Sequence, residues 1–96
     1  MQSLDENQVS QKLKSLTGWS LVDGKLHRTL ECDNFQKAFS IMTHIAFVAE
    51  KMDHHPEWKN VYNKIEIDLI THDAGPGITE KDFTLAEAVN TIVKNN

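Results

Sequence analysis

Two pairs of short β-patterned runs, each pair closed by two polar residues, set the tightest limit on how this chain can fold. Trp19–Val22 and Lys25–Cys32 flank Asp23-Gly24, and Asp-Gly supplies the positive φ angles that a two-residue hairpin requires. In the second run Leu26, Leu30 and Cys32 share one face, and His27, Thr29 and Glu31 share the other. Trp58–Tyr62 and Ile65–Thr71 repeat the arrangement around Asn63-Lys64. There Ile65, Ile67 and Leu69 alternate with Glu66 and Asp68, the pattern of a strand buried on one side only. Strands joined by two residues must run antiparallel, because a parallel pair needs a long crossover. Parallel βαβ units are therefore excluded.

Helical patterns fill the rest. Ser3 and Glu6 have capping-box spacing, and Val9, Leu13 and Leu16 make one stripe ahead of a natural stop at Gly18. This predicts a helix over about residues 4–16. Asp33 is the expected N-cap of a long helix over about 34–52. Phe35, Ala38, Phe39, Met42, Ile45, Ala46, Ala49 and Met52 follow helical spacing there, and Ile41 and Val48 widen the stripe. Phe47 projects from the polar side. So apolar a helix is expected to cover the sheet with one face and meet a partner subunit with another. Pro56 closes that region, and Gly75-Pro76-Gly77 is a loop. Thr79 and Asp82 form a further capping box, opening a helix over about 80–94 with Leu85, Ala86, Val89, Ile92 and Val93 inward. The order α-β-β-α-β-β-α predicts a two-layer α+β domain, a four-stranded antiparallel sheet with three helices on one face.

No linker or repeat divides the chain, so residues 1–96 are expected to make a single domain. Fourteen acidic and ten basic residues leave a net charge of −4. That balance offers no basic footprint for direct nucleic-acid binding. The longest apolar run, Ile45–Ala49, is too short to span a bilayer, and the polar, acidic first residues do not resemble a secretory signal. Cys32 is the single cysteine and cannot form an internal disulfide, which fits a reducing compartment. A cytoplasmic setting, with the nucleus as a second compartment, is the expectation.

Five histidines are many for this length, and three gather at one corner. His54-His55-Pro56 follows the long helix, and His72 ends the fourth strand, which the hairpin brings back beside the start of the third. Histidine is the side chain that exchanges a proton near neutrality, so two of them facing a small molecule can act as base and acid in one step. Glu50 and Asp53, just ahead of the pair, can orient an imidazole, and Trp58 offers a flat apolar wall for a planar ring. The competing structural reading is a solvated helix stop. His27 and His44 lie on polar faces and read as surface residues. Zinc held by His54, His55 and His72 is a rival, but adjacent side chains on an extended segment point apart, which suits shared chelation poorly. Cys32 lies on an apolar strand face, where cysteines are usually structural. Neither a P-loop nor a G-x-G-x-x-G fingerprint is present.

The spacing Glu50-x3-His54-His55-Pro56-x5-Tyr62-x9-His72-x9-Asp82 resembles the signature of the pterin-4a-carbinolamine dehydratases. The segments Ala49–Trp58 and Asn60–Lys64, with Gly18-Trp19, Ala38-Phe39 and Leu85-Ala86, extend the likeness over nearly the whole chain. The resemblance implies an enzyme that dehydrates 4a-hydroxytetrahydrobiopterin to quinonoid dihydropterin in tetrahydrobiopterin recycling, without a metal or bound cofactor. It implies acid/base roles for His54 and His72, with His55 as the third member. It implies supporting roles for Glu50, Asp53, Trp58 and Asp82. Family members form dimers by joining sheets, and some form tetramers by packing the second helix, so a homodimer or homotetramer is expected. Animal members double as the dimerisation cofactor of a homeodomain transcription factor. An interaction protein of that kind, without essential catalysis, is the second reading. The loop Ala74–Thr79 departs from the animal members by one extra residue and by Pro76.

Overall fold

The computed structural model describes residues 2–96. The elements are α1 (Glu6–Leu13), β1 (Ser20–Val22), β2 (Lys25–Glu31), α2 (Phe35–Met52), β3 (Glu57–Val61), β4 (Lys64–Leu69), a short 3₁₀ turn (His72–Ala74) and α3 (Glu80–Lys94). All strand pairs are antiparallel and the sheet order is β1-β2-β4-β3. The hairpins are thus the two halves of the sheet, with β2 and β4 joined at its centre. The predicted α+β architecture holds.

The inward side chains decide the register. Leu26 lies opposite Leu69 and Leu30 opposite Ile65, and all four are buried, as is Ile67 between Ile65 and Leu69 on β4. Against them pack Ala38, Ile41, Ile45 and Ala49 of α2, Phe83, Leu85, Ala86 and Val89 of α3, and Val9 of α1. Arg28 takes the remaining inward place on β2, opposite Ile67. Its long stem carries the guanidinium out beneath Gly18 to Asn90, which also accepts from Trp19 Nε1 at 2.8 Å.

Four local expectations shift. The first turn of α1 is capped by Asp5, whose side chain accepts from Gln8 N while Gln8 caps Asp5 in return. Ser3 is unavailable for that role because the extended segment carrying it is tied down next door: Leu4 N–H donates to Ile78 O at 2.7 Å. The α-helix stops at Leu13, and the residues to Leu16 continue with i→i−3 bonds of 3.1–3.3 Å, a tighter winding that still buries Leu16. Helix α2 starts one residue later than predicted, because Asn34 rather than Asp33 caps Lys37 N at 2.8 Å.

The second hairpin turns on Tyr62-Asn63, since Val61 pairs with Lys64. Tyr62 takes φ 52°. Asn63 is held at that position by exchanging hydrogen bonds with Cys32: Cys32 N–H donates to Asn63 O at 2.8 Å and Asn63 Nδ2 donates to Cys32 O at 2.9 Å. The capping box of α3 forms on Thr79 and Asp82 as expected.

The stripe on α2 divides differently from its spacing. Ile41 belongs to the buried arc with Ala38, Ile45 and Ala49, whereas Phe35, Phe39 and Phe47 are exposed, Phe47 to 71%. The outer sheet face carries Lys25, His27, Glu57, Glu66 and Asp68 and is uncovered in the single chain. His27 is tied into it, with Nδ1 2.8 Å from Asp68 Oδ1; His44 is exposed.

The central β4 carries the load of this arrangement. Ile67→Ala, at a position with no exposure, is expected to lower unfolding free energy by about 2–5 kcal/mol, measured by urea denaturation.

Candidate active site

The end of α2 delivers the first histidines. Asp53 adopts a left-handed conformation, φ 53° and ψ 45°, and His54 N–H reaches back to Ala49 O at 3.0 Å. This Schellman-type closure ends the helix abruptly and points the chain back toward the sheet. His54 is buried at the corner, His55 is exposed, and Pro56 leads into β3. On the other side β4 ends, Thr71 pairs with Gly77 across the loop, and the 3₁₀ turn lifts His72 into solvent. A cleft of about 270 Å³ lies between, lined by Asp53, His54, His55, Ile70, Thr71, His72, Asp73 and Lys81.

Each of the three imidazoles presents Nε2 to a carboxylate of its own. His54 Nε2 lies 2.6 Å from Asp82 Oδ1, His55 Nε2 lies 2.9 Å from Glu50 Oε1, and His72 Nε2 lies 3.2 Å from Glu57 Oε2. An ionised carboxylate can only accept, so in the hydrogen-bonded His54 and His55 pairs Nε2 carries a hydrogen, which leaves Nδ1 as the second ring nitrogen to take or give a proton. Among the described residues no buried side-chain nitrogen or oxygen lacks a partner, and the one hydrogen bond of the His54 ring is through Nε2. Its Nδ1 is therefore open to the cleft.

Asp82 is fully buried, and its second oxygen is also engaged. Oδ2 accepts from Thr79 N–H at 2.9 Å and from Thr71 Oγ1 at 2.8 Å. Thr71 spends its proton on Asp82, so the 2.8 Å contact between the two threonine hydroxyls requires Thr79 to donate to Thr71. Thr79 Oγ1 in turn accepts from Lys81 N. The carboxylate does not line the cleft; it holds the ring that does.

The other sequence candidates separate. Glu50 sits on the last turn of α2, its side chain 81% exposed, and fixes His55. Asp53 lines the cleft as the helix cap, and its side chain forms no hydrogen bond with an imidazole. Trp58 lies outside the histidine cleft. It is half-buried on β3 and lines a neighbouring, mostly apolar hollow of about 410 Å³ with Ala46, Phe47, Ala49, Glu50, His55 and Pro56. His55 borders both spaces. The three Nε2 atoms go to three different carboxylates, and among the described residues no three His, Cys, Asp or Glu side chains converge as metal ligands. Among the described residues no helix is long and apolar enough to cross a membrane.

Two contributors were not among the sequence candidates. Lys81, in the first turn of α3, brings a cation to the cleft wall. Glu57 bridges His72 and Lys25, with Lys25 Nζ 2.6 Å from Oε1. The hydrogen bond from Lys25 holds the Glu57 carboxyl below the usual carboxylate range, His72 acts in the same direction, and Glu57 raises Lys25 above the usual lysine value. Glu57 was legible as the first residue after Pro56, opposite the end of β4, but its neighbours across the sheet were not.

Comparison with known proteins gives one consistent result. A family model described as pterin 4 alpha carbinolamine dehydratase matches residues 2–92. A relative from Christiangramia forsetii named for that dehydratase is 47% identical over 95 residues, spanning 99% of this chain and 97% of that one. Another from Solibacter usitatus, similarly named, is 49% identical over 89 residues, spanning 93% of each. Among solved structures, a transcriptional coactivator/pterin dehydratase from Brucella melitensis superposes with a TM-score of 0.89 at 40% identity, covering 94% of this chain and 97% of that one.

The burial gradient across the three pairs predicts unequal mutational costs. Asp82→Ala strips a partner from His54, Thr71 and Thr79 together and is expected to cost about 3 kcal/mol or more of stability. Glu50→Ala, at an exposed pair, should stay within about 0.5 kcal/mol. Thermal or denaturant unfolding of the two variants checks the contrast.

Proposed function

The chain belongs to the pterin 4 alpha carbinolamine dehydratase family, and from that membership we propose that it is a dehydratase acting on 4a-hydroxytetrahydrobiopterin in tetrahydrobiopterin recycling. The observation that carries the reading is the His54–Asp82 pair, which offers a free Nδ1 to a cleft shared with His72. The reaction breaks the C4a–O bond and the N5–H bond and forms the C4a=N5 double bond and water. One group must protonate the departing hydroxyl while another removes the N5 proton.

His54 is the base in this reading. Its ring is buried, its Nε2 hydrogen is committed to Asp82, and only Nδ1 is free to take a proton. His72 is the acid: it is exposed, so solvent can restore its proton after each turnover. His55, braced by Glu50, stands between the histidine cleft and the hollow of Trp58, and the indole supplies an apolar wall beyond it for part of the pterin. Asp53 and Lys81 provide polar contacts at the rim, and Asp82 acts through His54. Proton transfer with C–O cleavage asks nothing further of a metal or cofactor.

We read residues 1–96 as one dehydratase-like domain in a cytoplasmic protein. The exposed Phe35, Phe39 and Phe47 support self-association through α2 into a homodimer or homotetramer, a second copy being the occupant such an apolar face suits.

Purified protein is expected to accelerate loss of the 4a-hydroxy intermediate formed by an aromatic amino-acid hydroxylase, equally with and without chelator. His54→Ala and His72→Ala should each lower kcat by about 10²-fold or more, the usual weight of a positioned acid or base. Unchanged rates in both folded variants would overturn the assigned roles.

A further inference from the structure

His72 poses a positional problem that the other histidines do not. Its side chain is 71% exposed, on a short 3₁₀ turn, with no packed surroundings to fix the ring. An acid that must meet a departing hydroxyl needs its proton held within hydrogen-bond reach of one place. The group available to hold it is Glu57, through the 3.2 Å contact of Oε2 with Nε2.

Glu57 lies opposite Asp68 across the β3–β4 ladder. Like charges placed directly opposite repel, and these two acids each have a separate partner. His27 Nδ1 lies 2.8 Å from Asp68 Oδ1, while Lys25 reaches across from β2 to Glu57 Oε1 at 2.6 Å. With one oxygen tethered to Lys25, the carboxylate is fixed with its other oxygen toward the 3₁₀ turn. The Lys25 hydrogen bond also favours the ionised form of Glu57, so Oε2 presents a negative charge 3.2 Å from His72 Nε2.

We propose that Glu57 is a positioning residue for His72, and that Lys25 is the cation that holds Glu57 in place. This rests on the dehydratase reading. It makes the outer sheet face, rather than the buried core that positions His54, the support of the second catalytic histidine.

The test compares Glu57→Ala, the isosteric Glu57→Gln and Lys25→Met with the unmodified protein, and uses Glu66→Gln as a control for charge lost from the same face. Glu57→Ala should lower kcat about fivefold with KM little changed, in keeping with an exposed charged contact, and Lys25→Met about twofold. In parallel, ¹³C relaxation of the His72 ring should show a lower order parameter in Glu57→Ala, with the His54 ring unaffected. Glu66→Gln should match the unmodified protein in both measurements. If Glu57→Ala fails to fold, Glu57→Gln carries the same expectations at smaller size.

Turnover in the unmodified protein with kcat unchanged in the Glu57 variants, or an unchanged His72 order parameter, overturns the role of Glu57 and leaves the dehydratase reading standing. Absence of turnover in the unmodified protein overturns the dehydratase reading and this role with it.

Discussion

The carboxylate of Asp82 is the point on which the corner is built. It is fully buried, and a buried charge is tolerated only where hydrogen bonds replace the water it has lost. Here the replacements come from three directions: Thr79 N–H at the start of α3, Thr71 Oγ1 at the end of β4, and His54 Nε2 just beyond α2. Satisfying one ion therefore fastens two helices and the central strand to each other. The depth of the His54 ring, the orientation of its free nitrogen and the approach of α3 are all consequences of that single requirement.

The same residue shows how far the sequence could be read. Thr79-x-x-Asp82 is visible as a capping box from spacing alone, and the resemblance to the dehydratase signature implied a supporting role for Asp82. The two readings refer to the two oxygens of one side chain. Oδ2 caps the helix and Oδ1 holds His54. Spacing revealed the local half because a cap joins residues three apart. The half that reaches His54 spans 28 positions and depends on how α2 ends.

Elsewhere the legible and illegible parts divide along the same line. Alternation in Ile65–Leu69 and the Asp23-Gly24 turn fixed the hairpins, because strand period and turn chemistry act over neighbouring residues. The cap positions of α1 and α2 moved by two residues and one, in α1 where Leu4 is drawn to Ile78 and Asp5 caps in place of Ser3. Helical spacing placed Phe35 and Phe39 with the core residues of α2, yet they are exposed, since spacing gives the width of a stripe and not how much of it the sheet can cover. Glu57 escaped notice because its partners, Lys25 and His72, are 32 and 15 positions away and meet it only through the strand order β2-β4-β3.

The three histidine–carboxylate pairs differ in exposure, and in the proposed reaction that difference separates the demands of acid/base chemistry. A base that must be neutral and aimed is best held rigidly, and His54 is gripped by a buried ion that cannot move without unsettling α3 and β4. An acid that must regain its proton from water has to be exposed, and exposure removes the packing that would aim it. An ion-pair contact from the sheet surface is the compromise available at His72. Such a contact is weak in water, and tethering the acceptor to Lys25 narrows its freedom without burying the ring. One side of the corner thus relies on the core for precision, while the other relies on a surface charge network, a difference that suits where each proton must go in the proposed reaction.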